Sequence, residues 1–323
     1  MQTDLSSIEL CAGGGGQALG LEMAGFSHEA LVEIDDWSRQ TLGLNRPKWN
    51  VVKGEQSDLT KFDGKPYAGV DLVAGGVPCP PFSVAGKQLG DKDERDLFPQ
   101  ALRVVEEVRP RAVMLENVRG FLDAIFTDYR QGLRDHLRRL GYSRVEWRLL
   151  NACDYGVPQL RPRVVIVAIA DTYADAFHWP QPNIDRCPTV GEVLHDLMAA
   201  QGWSGADRWR QGADEIAPTI VGGSKKHGGP DLGPTRARRA WEALGVNGKT
   251  ISETAPEADF VGLPRLTVRM VARLQGFPDS WTFSGKKTAA YRQVGNAFPP
   301  PVAQAVAQSI RAAITKRRLF AVA

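Results

Sequence analysis

The segment Val73-Ala74-Gly75-Gly76-Val77-Pro78-Cys79-Pro80-Pro81-Phe82-Ser83-Val84 decides how this 323-residue chain is read. The hydrophobic run that starts at Val70 reads as a buried strand, and it breaks at two glycines into a proline-rich corner. Prolines on both sides of Cys79 remove backbone donors and restrict the local torsions. The thiol is therefore presented stiffly at the carboxyl end of a strand, where open α/β sheets place their ligands. A buried structural cysteine is the competing reading of the same residue.

Upstream, Ser7-Ile8-Glu9-Leu10 reads as a strand that enters Cys11-Ala12-Gly13-Gly14-Gly15-Gly16, followed by a helix over 17–24. Strand, glycine turn and helix together let a backbone approach a nucleotide-like ligand and aim a helix N-terminus at it; a flexible loop and a dinucleotide site fit the same pattern. The next strand, Ala30 to Asp35, ends in acids roughly 20 residues past the glycines, the spacing at which a carboxylate reaches a ribose hydroxyl pair. A third strand end is expected near Ser57-Asp58-Leu59.

Downstream of Cys79, residues 85–96 are polar and charged. They are expected to form a surface loop that closes over a site, with a solvated charge run as the alternative. Apolar residues at Leu97, Ala101, Leu102, Val104, Val105 and Val108 make a helical stripe stopped by Pro110. The strand Ala112-Val113-Met114-Leu115 then delivers Glu116 to the same edge as Cys79, so an acid and a thiol are expected to meet there. A helix over 132–140 and an alternating strand over 145–149 complete another unit. In Gln159-Leu160-Arg161-Pro162-Arg163 the two arginines alternate, so in extended chain both face one side and converge on one anion or base edge.

The blocks Pro78-Cys79, Glu116-Asn117-Val118, Gln159-x-Arg161-x-Arg163 and Gly295-Asn296, in this order, resemble the DNA cytosine-5 methyltransferases. The resemblance spans most of the chain and leaves only about 170–263 without a strong signature. It implies a Rossmann-like α/β methyltransferase sheet with helices on both faces, plus a smaller irregular target-recognition domain. The reaction it implies is methyl transfer from S-adenosylmethionine to C5 of a flipped cytosine in a specific duplex sequence, through a covalent bond between Cys79 and C6. S-adenosylhomocysteine is the product and no metal is needed. The implied catalytic set is Cys79, Glu116, Arg161 beside the cytosine and Arg163 in support. The implied cofactor set is Cys11, Ala12, Gly13, Gly15, Gly16, Glu33 for the ribose, Ile34 for the adenine, Asp58 for its amino group, Leu59, Pro78, Leu97 and Asn296. Cys11 stands where the family usually has an aromatic residue, and it is expected to pack rather than react. Ala297 stands where many relatives have Ser.

Between Thr219 and Trp241 lie five Lys or Arg (Lys225, Lys226, Arg236, Arg238, Arg239) and one acid, Asp231, against +3 for the whole chain. Interleaved glycines make this the composition of loops that track phosphates, so Thr219 and these five, with Ser83 and Lys87, are the expected DNA contacts. The expected domains are 1–172 completed by 286–323, and 173–285, where helical periodicity fades. The helix begun near Thr267 and stopped by Gly276 and Pro278 is expected to scaffold the smaller domain. Hydrophobic content of 43% is that of a folded protein with a real core. Four scattered cysteines, with no Cys-x-x-Cys pair and no legible leader, point to a reducing cytosol and exclude the zinc-deaminase signature. The resemblance to a compact single-module modification enzyme implies a bacterial or phage-encoded, cytoplasmic protein. No apolar run approaches the ~20 residues of a membrane span. The expected partners are double-stranded DNA and a separately acting restriction endonuclease, with the enzyme a monomer. An RNA cytosine-5 methyltransferase and a non-catalytic DNA-binding relative are the alternatives.

Overall fold

The apolar run after Val70 becomes the strand Leu72–Gly75, buried at every residue. A computed structural model describes residues 5–78, 96–182, 185–223 and 229–316. The strands are β1 (Leu5–Leu10), β2 (Phe26–Val32), β3 (Leu72–Gly75), β4 (Ala112–Val118), β5 (Arg144–Asn151) and β6 (Pro162–Ile169). They form one sheet in the order β2-β1-β3-β4-β6-β5. β1 pairs in parallel with β2 and β3, β3 with β4, and β6 runs antiparallel to β4. The chain leaves β1 toward β2 and returns past β1 to β3, which makes the gap between the carboxyl ends of β1 and β3 a topological switch point.

The helices are α1 (Gly16–Met23), α2 (Asp36–Asn45), α3 (Phe98–Val108), α4 (Thr127–Arg139), α5 (Val190–Met198), α6 (Ala206–Gly212), α7 (Thr235–Ala243), α8 (Val268–Leu274), α9 (Lys287–Asn296) and α10 (Pro300–Lys316). Contacts divide the chain into two units. The first comprises Met1–Leu150, Pro162–Gln181 and Val302–Ala323; the second comprises Asn151–Arg161 and Pro182–Pro301, so 286–301 are counted with the second.

In the first unit the sheet is covered on both faces. Ile8, Val73, Val113, Leu115 and Ile166 meet Val104, Val105 and Val108 of α3 and Leu133 and Leu137 of α4. Leu31 and Ala12 pack with Ala18 of α1 and Leu42 of α2 on the other side. The α3 stripe, read from its spacing, is buried at Phe98, Ala101, Val104, Val105 and Val108. Each Val or Phe there contributes roughly 1.5–3 kcal/mol of transfer free energy, so Val104→Asp would detach the helix. Arg109 takes the left-handed conformation (φ 51°) and ends it ahead of Pro110. In α10, Val302, Val306 and Ile310 are buried, and the Arg311 guanidinium donates to the carbonyls of Ala24 (2.8 Å) and Gly25 (3.2 Å).

Two expectations fail. Ser57–Leu59 is no strand end: Gly54–Ser57 is a single 3-10 turn, and Asp58 follows it in a loop. Fading periodicity after Ala170 also misled, because α5, α6 and α7 lie in that stretch. The signal overlooked was Thr189-x-x-Glu192, which forms a reciprocal capping box at the start of α5. In α8 the expected start holds, with Thr267 as its N-cap.

Candidate active site

The close approach of β3 to β1 depends on Gly75. A Cβ at that position would lie 2.7 Å from the Leu10 carbonyl oxygen, so a side chain would force the central strands apart just where both deliver their loops. Beyond β1 the chain turns through Cys11 (φ 56°), Gly13 (φ 54°) and Gly15 (φ 88°), and Gly16 opens α1. Left-handed torsions at Gly13 and Gly15 carry no Cβ penalty. The turn is held from within by Gly15 N–H donating to the Ala12 carbonyl (3.0 Å) and from below by Ala12 N–H donating to the Val32 carbonyl (3.1 Å).

Glu33 lies one residue past β2 and is buried. Its Oε2 accepts from Gly13 N–H and its Oε1 from Asp35 N–H, both at 2.7 Å. The carboxyl thus ties the glycine turn to the exit of β2. Burial pushes it above the ordinary carboxylate range, against the lowering effect of those two N–H groups. Ile34 beside it is 65% exposed, an apolar surface offered at the rim of the turn. Asp35 caps α2 by accepting from Ser38 N–H (3.1 Å), which leaves Glu33 as the acid facing the turn. Asp58 is half-buried and its Oδ1 accepts from the backbone and hydroxyl of Thr60. Leu59 is buried, with its carbonyl taken by Arg103. Cys11 is partly buried against the core, and burial together with Glu33, Glu9 and Asp58 drives its thiol far above the ordinary value, as suits a packing residue.

On the other side of the switch point, β3 leads through Gly76 and Val77 to Pro78. Glu116 stands within β4, opposite Val165 of β6. Its Oε1 pairs with Arg163 Nε at 2.8 Å, with both side chains largely shielded (12% and 13% exposed). Burial lowers the guanidinium's pKa, and Glu116 offsets that. A Cβ at Gly76 would stand 3.4 Å from Glu116 Oε2, so the exit of β3 runs directly past the carboxylate. Asn117, named in the Glu116-Asn117-Val118 block without a role, is buried and its Nδ2 donates to the Val77 carbonyl (3.3 Å), fixing β4 to that exit. Its position directly after Glu116 was the available signal. Leu97 N–H donates to the Pro78 carbonyl (3.2 Å), joining the residues on either side of 79–96. Cys79, Ser83 and Lys87 lie outside the described residues, as do Lys225 and Lys226.

The two arginines do not share a target. Arg163 serves Glu116, whereas Arg161 is 1% exposed and gives its guanidinium to backbone carbonyls of Ile220, Gly295 and Ala297 in the second unit. The extended chain assumed for Gln-x-Arg-x-Arg is interrupted. Gln159 N–H donates to Val157 O and Arg161 N–H to Gln159 O, two successive i to i−2 turns, and β6 starts only at Pro162. Asn296 is the last residue of α9, exposed, with Nδ2 donating to the Gly223 carbonyl (3.1 Å). Thr219 Oγ1 donates to the Leu160 carbonyl. On α7, Arg236 and Arg239 are exposed and Arg238 is half-buried.

Among the described residues no group of three or more His, Cys, Asp or Glu is arranged to hold a metal ion, and no helix is long and apolar enough to cross a membrane.

Solved structures of similar fold include a DNA modification methyltransferase encoded in an Escherichia coli prophage (TM-score 0.67, 23% identity, covering 96% of this chain and 99% of that one). The Spodoptera frugiperda DNMT2 structure is another (TM-score 0.60, 18% identity, covering 95% and 99%). At these identities the likeness concerns the fold. The type II methyltransferase M.NaeI of Lentzea aerocolonigenes is 55% identical over 313 residues, 96% of this chain and 75% of that protein. M.NgoMIV of Neisseria gonorrhoeae, also a type II methyltransferase, is 54% identical over 318 residues, 96% and 98% of the two chains. With the C-5 cytosine-specific DNA methylase model matching residues 5–312, the chain belongs to that family.

Proposed function

We propose that this protein transfers the methyl group of S-adenosylmethionine to C5 of a cytosine in duplex DNA, with Cys79 as the nucleophile and Glu116 as the acid that activates the base. The reading rests above all on the Glu116–Arg163 pair near the carboxyl end of β4, with the exit of β3 so close that a Cβ at Gly76 would stand 3.4 Å from the carboxylate.

The first unit fits the cofactor. A Cβ at Gly13 would meet nothing within 4 Å, which leaves the turn open to a ligand. Each Glu33 oxygen accepts one backbone N–H and retains a second lone pair for a ribose hydroxyl. The exposed Ile34 side chain suits the face of an adenine ring. When bound, S-adenosylmethionine supplies an electrophilic methyl group on a sulfonium centre.

Cytosine C5 is too weak a nucleophile for that methyl unless something adds at C6. The Cys79 thiolate forms the bond to C6; the displaced electron pair moves through the ring to N3, which Glu116 protonates while accepting from the exocyclic amine. C5 then has enamine character and can take the methyl. Loss of the C5 proton to water returns electrons to the ring, breaks the C6–S bond and restores the thiolate, and N3 hands its proton back to Glu116. Arg163 holds the Glu116 carboxyl in line throughout, and a base inside a stacked duplex is out of reach, so the cytosine must flip out. The second unit, with Thr219, Lys225, Lys226, Arg236, Arg238 and Arg239, supplies the DNA contacts. The type II names of the relatives support a companion endonuclease acting separately.

Methyl incorporation into duplex DNA and into transfer RNA, followed side by side, tests the substrate. Cys79→Ser is expected to lower incorporation into DNA by about 10³-fold or more while cofactor affinity stays within a few-fold. Turnover retained by that variant would remove Cys79 from its role, and methylation of RNA alone would remove DNA as the substrate.

A further inference from the structure

Arg161 sits at the centre of a buried polar network that belongs wholly to the second unit. One terminal nitrogen donates to Ile220 O (2.6 Å) and Gln159 Oε1 (3.4 Å), the other to Gly295 O and Ala297 O (both 2.9 Å). Gln159, fully buried, accepts Ile220 N–H on Oε1 (2.9 Å), and its Nε2 donates to Gln275 Oε1 (2.6 Å) and Leu274 O (3.2 Å). Gln275, also fully buried, closes the ring by donating to Ala297 O (2.6 Å). The guanidinium therefore stitches the end of α9 to the peptide of Ile220, with Gln159 gripping the same residue's N–H. A planar fork with five fixed donors can hold carbonyls in two directions at once; an ammonium cannot reproduce that geometry.

The segment so held is Thr219–Gly223. Ala217 N–H donates to Pro158 O (3.0 Å) and Leu160 N–H to Ala217 O (2.8 Å), so Ala217, just before that segment, forms an isolated parallel bridge with Gln159. At its far end it packs on α9 with no room to spare. A Cβ at Gly222 would stand 2.4 Å from Arg292 O and 2.6 Å from Asn296 Oδ1. Ile220 is buried, while Val221 is 43% exposed and turned to the outside. Val221 and Gly223 form one wall of a cleft of about 340 Å³ whose other walls include Gly229, Asp231, Gly233 and Arg238. Backbone amides of glycines, a carboxylate and a guanidinium around one cleft are the donor and acceptor types that read base edges.

We infer that Arg161 is a positioning residue for target discrimination: by clamping Ile220 it fixes the wall of the Val221–Arg238 cleft, and that cleft reads the edge of a base near the target cytosine. The inference rests on the DNA methyltransferase reading above, and the two fail differently. If the unsubstituted protein does not methylate duplex DNA, the reading falls. If it does, the clamp is tested by Arg161→Lys and Gly222→Ala, scored by steady-state kinetics and by bisulfite sequencing of a library of near-cognate duplexes. Gly222→Ala moves the same segment without touching the guanidinium.

Both variants are expected to raise the DNA KM by about 10-fold or more, to lower kcat by less than that, and to methylate sites that the parent protein ignores, as loss of a base contact does. Cofactor affinity should stay within twofold in Arg161→Lys. A loss of kcat by about 10³-fold in Arg161→Lys with KM and site choice unchanged would place the guanidinium on the reacting base and overturn the inference. Parental site choice in Gly222→Ala would overturn it as well, and that result decides alone should Arg161→Lys melt below the assay temperature.

Discussion

Arg163 and Arg161 are separated by a single proline, yet the two units neutralise them in opposite ways. In the first, Arg163 faces the carboxylate of Glu116 at a strand edge, both groups shielded but not sealed. In the second, Arg161 is sealed and its charge is spread over neutral oxygens, two of them at the carboxyl end of α9, where the helix dipole is negative. An ion pair at a rim can exchange partners with a substrate, because each member keeps its charge for a newcomer. A guanidinium distributed over four acceptors is committed to structure, since freeing it would leave several buried carbonyls unsatisfied. Burial and charge alone do not mark a catalytic residue; the kind of partner does.

The sharpest attack on this contrast is Glu116→Gln. The amide keeps the shape but cannot protonate N3, and it leaves a shielded guanidinium without its counter-charge. Turnover is expected to fall by about 10²–10³-fold, with DNA site choice intact. The contrast breaks if Glu116→Gln relaxes site choice, or if its turnover loss is no larger than that of Arg161→Lys.

A smaller effect is expected at the other end of the same edge. Glu33→Gln keeps only one acceptor oxygen and turns an N–H group toward a backbone N–H, so affinity for S-adenosylmethionine should drop by about 10-fold. In the parent protein the same affinity should decline as pH falls, because a protonated Glu33 loses one acceptor. Burial raises this group's pKa, so the decline should begin at a higher pH than an ordinary carboxylate gives. Binding titrations against pH would show that slope in the parent and none in the variant. A slope that survives the substitution would assign it to another group.

Much of the first unit was legible because its local signals agree. The glycine turn, the α3 stripe and the apolar β3 run each satisfy propensity, periodicity and burial together. Glu116 could be assigned to the carboxyl end of a strand because it follows the apolar run over 112–115 directly, whereas Cys79 lies outside the described residues. Asp58 was assigned correctly to the end of an element but wrongly to a strand. Only Leu59 and Phe62 are buried apolar residues there, and Gly54 (φ 65°) starts a 3-10 turn instead. The role of Arg161 was hidden for another reason. Alternation predicts facing only in extended chain, and two consecutive tight turns between prolines 158 and 162 rotate the side chain onto backbone carbonyls that lie 59 to 136 residues away. Nothing local encodes such partners. In the second unit α5 was missed although its cap was written in the sequence, because fading periodicity was read as the absence of helix.

Glu9 represents a third way to manage a buried charge, and it yields the gentlest prediction. It is 1% exposed on β1, its Oε2 has no hydrogen-bond partner among the described residues, and burial and the nearby Glu33 push its pKa well above the ordinary range despite a bond from the Ala18 backbone. The folded state thus holds this proton more tightly than the unfolded chain does. Stability linked to Glu9 is therefore fully present below the unfolded pKa and is lost as pH rises from there through the folded value. Glu9→Gln cannot ionise and can still accept from Ala18. It should be more stable than the parent above neutral pH by about 1 kcal/mol, a rise in Tm of about 2–4 °C, with the difference vanishing in mild acid. Thermal melts at several pH values measure this directly. A variant that is less stable in alkali would mean that Glu9 is ionised and paired in the fold, and the first unit would then manage Glu9, like Glu116, by opposite charge.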